Sequence, residues 1–139
     1  MVQIIAGEKG KGKTKYLLEK VNQAVESVNG SIVYLDKSSK HMYELNNKIR
    51  LINVSDYLIT NCDEFLGFLC GIISQDHDLE EMYLDSFLTI AALSDDEICR
   101  AVTKLEEIGE TFHVNFVLSV SKNTADLPDC VKDKIIISL

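Results

Sequence analysis

The sequence predicts an α/β fold, a three-layer sandwich in which helices cover both faces of a mostly parallel, five-stranded sheet. Short apolar runs alternate along the chain with segments whose apolar residues recur at helical spacing. This alternation is typical of parallel sheets built through right-handed crossovers. The length of 139 residues fits one domain with one core, so residues 1–139 are expected to form a single domain.

Five apolar runs predict the core strands, and a sixth run predicts an extra strand from Ile49 to Val54. The first run ends at Gly7 and the second at Asp36, which indicates that both strands stop at a turn. The predicted core strands are Val2–Ala6, Ser31–Leu35, Met82–Leu84, Val114–Val120 and Lys134–Ser138.

Three helices are predicted between these strands. The first follows Gly7 and stops near Gly30, since glycine commonly ends helices. The second begins near Asn61 with Glu64, and the third begins at Ser94 with Glu97 in a capping-box pattern and runs to Gly109. The apolar positions that define the three faces are Leu17, Val21, Ala24 and Val28, then Phe65, Phe68, Leu69 and Ile72, then Ile98, Val102, Leu105 and Ile108.

The turn after the first strand carries the most specific motif of the chain. It matches G-x-x-x-x-G-K-[ST], the phosphate-binding P-loop or Walker A motif, and stands between a strand and a helix as that motif requires. The glycines allow successive N–H groups to wrap an anion, and the following helix N-terminus favours negative charge. The residues expected to bind the nucleotide are Gly7, Glu8, Lys9, Gly10, Lys11, Gly12, Lys13 and Thr14.

Within this loop, Lys13 is expected to reach the β- and γ-phosphates and Thr14 to ligate Mg²⁺. Lys11 either adds charge beside the phosphates or points into solvent. The motif therefore predicts binding of a nucleoside triphosphate with Mg²⁺.

Two aspartates that follow apolar runs are candidates for the second metal ligand, Asp36 and Asp85. Both could approach the ligand, because ligands of open parallel sheets lie beyond the carboxyl ends of the strands. Asp85 is favoured because it follows the third core strand, whereas the second strand of such folds often lies near the sheet edge. Asp36 as the ligand, and an ordinary turn-capping role for Asp85, stay open as alternatives.

Hydrolysis also needs a group that orients water, and the sequence supplies no obvious one. Many ATPases place a glutamate directly after the metal-binding aspartate, whereas Ser86 stands here. Glu8 is the one acid that could substitute, and the alternative is that it faces solvent. Neither Arg50 nor Arg100 occupies an obvious finger position. A weak NTPase or a nucleotide-dependent switch is therefore expected, with a non-hydrolysing binding module or a small-molecule kinase as alternatives; the kinase is disfavoured because no arginine-rich lid is visible.

The end of the fourth core strand carries Ser121, which is a candidate γ-phosphate sensor or else a simple turn former. The same segment lacks the guanine-reading N-K-x-D pattern, because its sequence is Ser-Lys-Asn-Thr over residues 121–124. Adenine is therefore the default expectation, and ATP the expected nucleotide.

Composition limits the partners. The net charge of −8 argues against nucleic acid as a partner, and the longest apolar run, Phe65 to Ile73, is far shorter than the ~20 residues that span a bilayer. With no signal-peptide pattern, a cytoplasmic location is expected. The four cysteines (Cys62, Cys70, Cys99 and Cys130) show no metal-binding spacing and are expected to be free thiols.

Beyond the motif, the chain resembles short, stand-alone bacterial P-loop ATP-binding proteins that carry the transferred label "twitching motility protein PilT". The resemblance implies a minimal RecA-like P-loop NTPase fold and ATP binding through Gly12, Lys13 and Thr14. It does not extend to motor activity, because the extra N-terminal domain and the acidic and histidine-rich segments of pilus-retraction motors are missing. A protein partner or self-association is compatible with this resemblance. The segments that carry it are Ile5–Lys15, Lys48–Ile52, Tyr83–Ser86, Ser119–Ser121 and Leu127–Pro128.

Overall fold

Six strands, all parallel, form the central sheet of the computed structural model, which describes residues 1–139. The prediction of a parallel α/β sheet is confirmed, but the strand number of five is wrong. The segment expected as an extra strand pairs with its neighbour along its whole length and forms one edge of the sheet. The strands are β1 (Val2–Ala6), β2 (Ser31–Asp36), β3 (Ile49–Asn53), β4 (Leu79–Leu84), β5 (Asn115–Val120) and β6 (Ile135–Ser138), in the order β3-β2-β4-β5-β1-β6.

Five helices cover the sheet unequally. One face packs against α1 alone, in a cluster of 8 buried residues, whereas the other helices pack against the opposite face in a cluster of 27. The three-layer arrangement is therefore confirmed, with most of the core on one side. The helices are α1 (Lys13–Ala24), α2 (Cys62–Ser74), α3 (Phe87–Ile90), α4 (Ile98–Phe112) and α5 (Asp129–Lys132).

Two helix ends differ from the sequence prediction. The helix α1 ends at Ala24, well before Gly30. The helix α4 passes through Gly109 and ends at Phe112, and the next residue, His113, adopts a left-handed conformation with φ of 58°. A Cβ at position 109 would lie 2.7 Å from the carbonyl oxygen of Val114, which explains why this helical position is a glycine. The glycine serves close packing here and does not terminate the helix.

The predicted helix starts are confirmed. Asn61 accepts a hydrogen bond from the N–H of Glu64 at 2.9 Å. The capping box of Ser94 and Glu97 is present, and it precedes α4 through a short 3₁₀ turn.

The register of the central strands brings their carboxyl ends to one level. Leu35 of β2 pairs with Leu84 of β4, and Leu84 pairs with Leu118 of β5. Asp36, the last residue of β2, and Asp85, which directly follows β4, therefore lie side by side at the carboxyl edge of the sheet. β5 also pairs with β1, so the loop that follows β1 meets the same edge.

Cys99 of α4 and Cys130 of α5 form a disulfide, with their Cα atoms 6.0 Å apart. The expectation that all four thiols are free is wrong for this pair, and Cys62 and Cys70 are free. The crossover from β5 to β6 carries α5 back against α4, and sequence spacing alone does not reveal this proximity. No helix combines the length and the apolar character needed to cross a membrane.

Candidate nucleotide-binding site

The P-loop joins β1 to α1 and opens onto a cavity of about 530 Å³ at the carboxyl edge of the sheet. Gly10 and Gly12 have φ of 88° and 93°, a left-handed conformation that glycine adopts without strain. No side chain caps the N-terminus of α1 and no acid lies in its first turn. The free N–H groups in the first turn of this twelve-residue helix therefore meet no carboxylate from the helix itself, as an anion site at a helix N-terminus requires.

Lys13 is buried at the base of this loop, with 7% of its surface exposed. Its Nζ donates a hydrogen bond to the carbonyl oxygen of Glu8 at 3.0 Å. Burial lowers the pKa of Lys13, while the carboxylate of Asp85 acts in the opposite direction. The ammonium is thus held between the loop backbone and an acid, at the lining of the cavity.

Asp85 is the most strongly hydrogen-bonded carboxylate in the cavity. Its Oδ1 accepts from Thr14 Oγ1 at 3.3 Å and from Ser119 Oγ at 2.6 Å, and its Oδ2 accepts from Tyr34 OH at 2.8 Å. Ser119 Oγ in turn accepts from the N–H of Ser86 at 2.8 Å. Asp85 and Thr14, the two residues expected from sequence to hold the metal, therefore meet directly. Paired carboxylate and hydroxyl oxygens suit Mg²⁺, which prefers hard oxygen ligands.

Tyr34 and Ser119 were not predicted as site residues. Each is a hydroxyl-bearing residue within a buried strand, where the side chain looks like core packing, and each is at most 1% exposed. The available signal was their polarity inside otherwise apolar runs. Burial and the negative charge of Asp85 raise the pKa of Tyr34 far above its ordinary value, so its hydroxyl keeps the proton that it donates.

Asp36 lies beside Asp85 and also lines the cavity. It is 3% exposed; its Oδ1 accepts from the N–H of Lys37 at 2.7 Å, and no protein group donates to its Oδ2. Burial raises the pKa of Asp36, and the nearby charge of Asp85 adds to the rise. Asp36 and Asp85, the two alternative candidates for the metal ligand, thus both line one cavity, in different surroundings.

A basic segment after β2 forms the wall opposite the P-loop. Lys37, Lys40 and His41 line the cavity together with Lys9 and Lys13. The segment is tied to α1, because the side chain of Asn22 donates to the carbonyl oxygen of Glu44 and accepts from the N–H of Asn46, both at 2.8 Å. Cations thus approach the acidic centre from two sides.

The remaining predicted residues lie at the margins. Ser121 lines the cavity, whereas Glu8 and Lys11 do not. Glu8 is exposed, and its carboxylate accepts a hydrogen bond from Asn123 Nδ2 at 2.7 Å. Glu8 therefore faces the loop after β5 and is poorly placed to orient water inside the cavity.

Arginine is missing from the cavity. Arg50 forms an ion pair with Asp76, and Arg100 forms one with Asp63. No apolar side chain lines the cavity either. Its chemistry suits phosphate groups and a cation, and His41 is the only aromatic side chain that lines it.

Sequence comparison finds neither a matching family model nor a matching curated protein. A structural match is found with the KaiC-like protein PH0186 from the hyperthermophilic archaeon Pyrococcus horikoshii OT3, with a TM-score of 0.57 and 17% sequence identity. The fold is RecA-like. The match covers 87% of this chain and 61% of the archaeal chain. At this identity it shows the architecture alone, a minimal RecA-like P-loop fold with six parallel strands.

Proposed function

We propose that this RecA-like domain binds a nucleoside triphosphate, with ATP as the expected physiological ligand, together with Mg²⁺. The observation that supports the proposal is the meeting of Lys13, Thr14 and Asp85 in one polar cavity at the carboxyl edge of the sheet. The loop N–H groups and Lys13 would hold the phosphates, and Thr14 and Asp85 would hold the metal. Mg²⁺ bound there would neutralise phosphate charge.

The domain is further proposed to act as a nucleotide-dependent switch or weak NTPase in the cytoplasm, through a protein partner or a second copy of the chain. The feature that favours a switch is the contrast between a complete set of phosphate-binding groups and the distance of both arginines from the cavity. Phosphoryl transfer needs positive charge at the γ-phosphate, and in related chemistry a partner often supplies it.

Asp36 is the group best suited to orient an attacking water. Ser86 cannot accept a proton as a carboxylate does, and Glu8 lies outside the cavity. Asp36 lines the cavity beside Asp85, its buried Oδ2 has no protein donor, and its raised pKa makes it a better proton acceptor than an ordinary aspartate. We assign residual hydrolysis to Asp36.

Isothermal titration of the purified protein with ATP, ADP and GTP, with and without Mg²⁺, tests the proposal. Lys13→Ala should weaken ATP binding at least tenfold, about 1.4 kcal/mol, because the buried ammonium beside the loop is lost. Lys11→Ala is the matched control, since Lys11 is an exposed lysine of the same loop outside the cavity. Unchanged ATP affinity in the Lys13 variant would refute the phosphate-loop assignment.

The same titration tests base preference. ATP and GTP affinities are expected to differ by less than about tenfold, because strong discrimination needs buried groups that pair with the base and no hydrophobic residue lines the cavity to bury the base. A difference of a hundredfold or more would mean that a base pocket lies elsewhere on the surface.

A further inference from the structure

Tyr34 is a fully buried tyrosine whose hydroxyl donates a hydrogen bond to the carboxylate of Asp85. It stands two residues before Asp36 on β2, so both side chains project from the same face of the sheet. That face packs against α1, which carries Thr14. Tyr34 thus approaches Asp85 from within the core, while Thr14 approaches it from the cavity side.

We propose that Tyr34 is a positioning residue for the metal site: its hydroxyl fixes Oδ2 of Asp85 and thereby directs Oδ1 toward Thr14 and the cation. This inference rests on the proposed binding of a Mg²⁺–nucleotide complex. Tyr34 itself contacts neither metal nor nucleotide in this scheme, and acts only through Asp85.

The arrangement of acceptors explains why one hydroxyl matters. Ser119 and Thr14 both donate to Oδ1, so Tyr34 is the only side chain that holds Oδ2. The neighbouring Asp36 already has one oxygen without a protein donor. Without the Tyr34 hydroxyl, Oδ2 of Asp85 would be a second carboxylate oxygen of this cavity without a protein donor, which would favour rotation of Asp85 away from its present orientation.

Tyr83 provides a matched control. It is the register partner of Tyr34 on β4, its ring stacks on that of Tyr34 at a centroid distance of 6.4 Å, and it is 1% exposed. Its hydroxyl donates to Glu81 of its own strand at 2.7 Å and not to Asp85. Phenylalanine at either position keeps the ring and removes one buried hydroxyl, so the two variants differ mainly in which carboxylate loses its donor.

The test is calorimetric titration with ATP at a series of MgCl₂ concentrations and in EDTA. Tyr34→Phe should raise the Mg²⁺ concentration needed for half of the metal-dependent gain in ATP affinity by about ten- to a hundredfold, the usual effect of losing a partner of a metal ligand. ATP affinity in EDTA should stay unchanged, and Tyr83→Phe should behave as wild type in both conditions. An unaltered Mg²⁺ dependence in Tyr34→Phe would overturn the positioning role.

A double-mutant cycle with Asp85→Asn separates positioning from general loosening of the core. If Tyr34 acts through Asp85, the double variant should require no more Mg²⁺ than Asp85→Asn alone. Additive losses would overturn the proposal even if Tyr34→Phe alone is impaired. Failure of the wild-type protein to bind ATP in either condition would instead overturn the proposed function, and this inference with it.

Discussion

At the scale of single residues, Asp36 and Asp85 are two aspartates in one cavity that differ in their hydrogen-bond donors. Asp85 has hydrogen-bond donors on both oxygens, whereas Asp36 has one oxygen without a protein donor. A buried carboxylate without full compensation destabilises the folded state when it is ionised. Asp36 is therefore expected to reduce stability while it serves the site.

Replacing Asp36 by asparagine should raise the melting temperature at pH 7 by roughly 2–5 °C, which corresponds to about 1 kcal/mol for a domain of this size. The pKa of Asp36 is raised in the folded state, so the folded protein holds this proton more tightly than the unfolded chain does. The stability that this proton contributes is fully present below the unfolded pKa of about 3.9 and is lost as pH rises through the folded pKa. The advantage of the variant should thus be small at pH 4 and grow toward pH 7.

Thermal unfolding of both proteins at pH 4, 5.5 and 7 measures this effect. Asp56→Asn serves as the control, because it removes a carboxylate that is exposed. A melting-temperature difference for Asp36→Asn that is the same at all three pH values would contradict the assignment of a buried, destabilising charge.

Sequence pattern located part of the candidate site and missed the rest for a physical reason. The loop Gly7–Thr14 and the acid Asp85 stand at strand ends, where the pattern changes from apolar to polar, and such changes are visible in one dimension. Tyr34 and Ser119 lie inside strands, and only the register of β2, β4 and β5 brings them to one carboxylate. Pairing between distant strands is not encoded in local periodicity.

At the scale of elements, Gly30 also shows the difference between what a local sequence pattern predicts and what contacts between distant segments require. Gly30 was expected to end α1, yet the helix ends at Ala24, and Gly30 lies where the chain enters β2. A Cβ at Gly30 would overlap the carbonyl oxygen of Asp78, and the N–H of Gly30 donates to Glu80. Close approach of the segment before β4, and not helix termination, explains glycine here.

Gly30→Ala should destabilise the protein by about 1–3 kcal/mol, the usual cost of overpacking a site whose neighbours are backbone atoms. Gly67→Ala is the opposite case, because Gly67 lies within α2 with open space around its Cβ position. Alanine there should stabilise the helix by about 0.5–1 kcal/mol. Chemical denaturation measures the free energy of unfolding of both variants. A Gly30→Ala protein as stable as wild type would show that the segments around Gly30 and Asp78 can move apart without cost.

The strand count was underestimated for a reason that belongs to this scale. β3 is an edge strand with one paired side and partial burial, so its apolar pattern is weaker than those of the central strands. The strand at the opposite edge, β6, pairs irregularly. Its register with β1 shifts between the partners of Ile4 and Ile5, and Ile136 is exposed. A bulge of this kind discourages pairing with another sheet edge.

At the scale of the whole molecule, the placement of charge predicts slow hydrolysis by the isolated protein. Both arginines are engaged in ion pairs outside the cavity, so lysines are the permanently charged cations that this chain brings to it. We expect turnover far below the enzyme median of about 10 s⁻¹, with a partner's arginine able to raise it by about 10³–10⁵. A steady-state phosphate-release assay on purified monomer measures this.

Asp36→Asn is the informative variant in that assay, because it should remove the residual turnover while ATP binding persists. Turnover near 10 s⁻¹ in the wild-type monomer would contradict the switch and identify an autonomous ATPase. Residual turnover that survives Asp36→Asn would show that another group orients the water.

The strand order has a consequence for folding of the chain during translation. β1 precedes the other five strands of this sheet, yet its only partners are β5 and β6, the last two of the six, whereas β2 pairs with β3 and β4. At ordinary translation speed the loop Gly7–Thr14 waits roughly 5–20 s for β5 to be made. During that interval β2, β3 and β4 have their mutual partners, while β1 has none. β1 is thus among the last strands of this sheet to be paired, and the proposed nucleotide site cannot assemble until β5 has been synthesised.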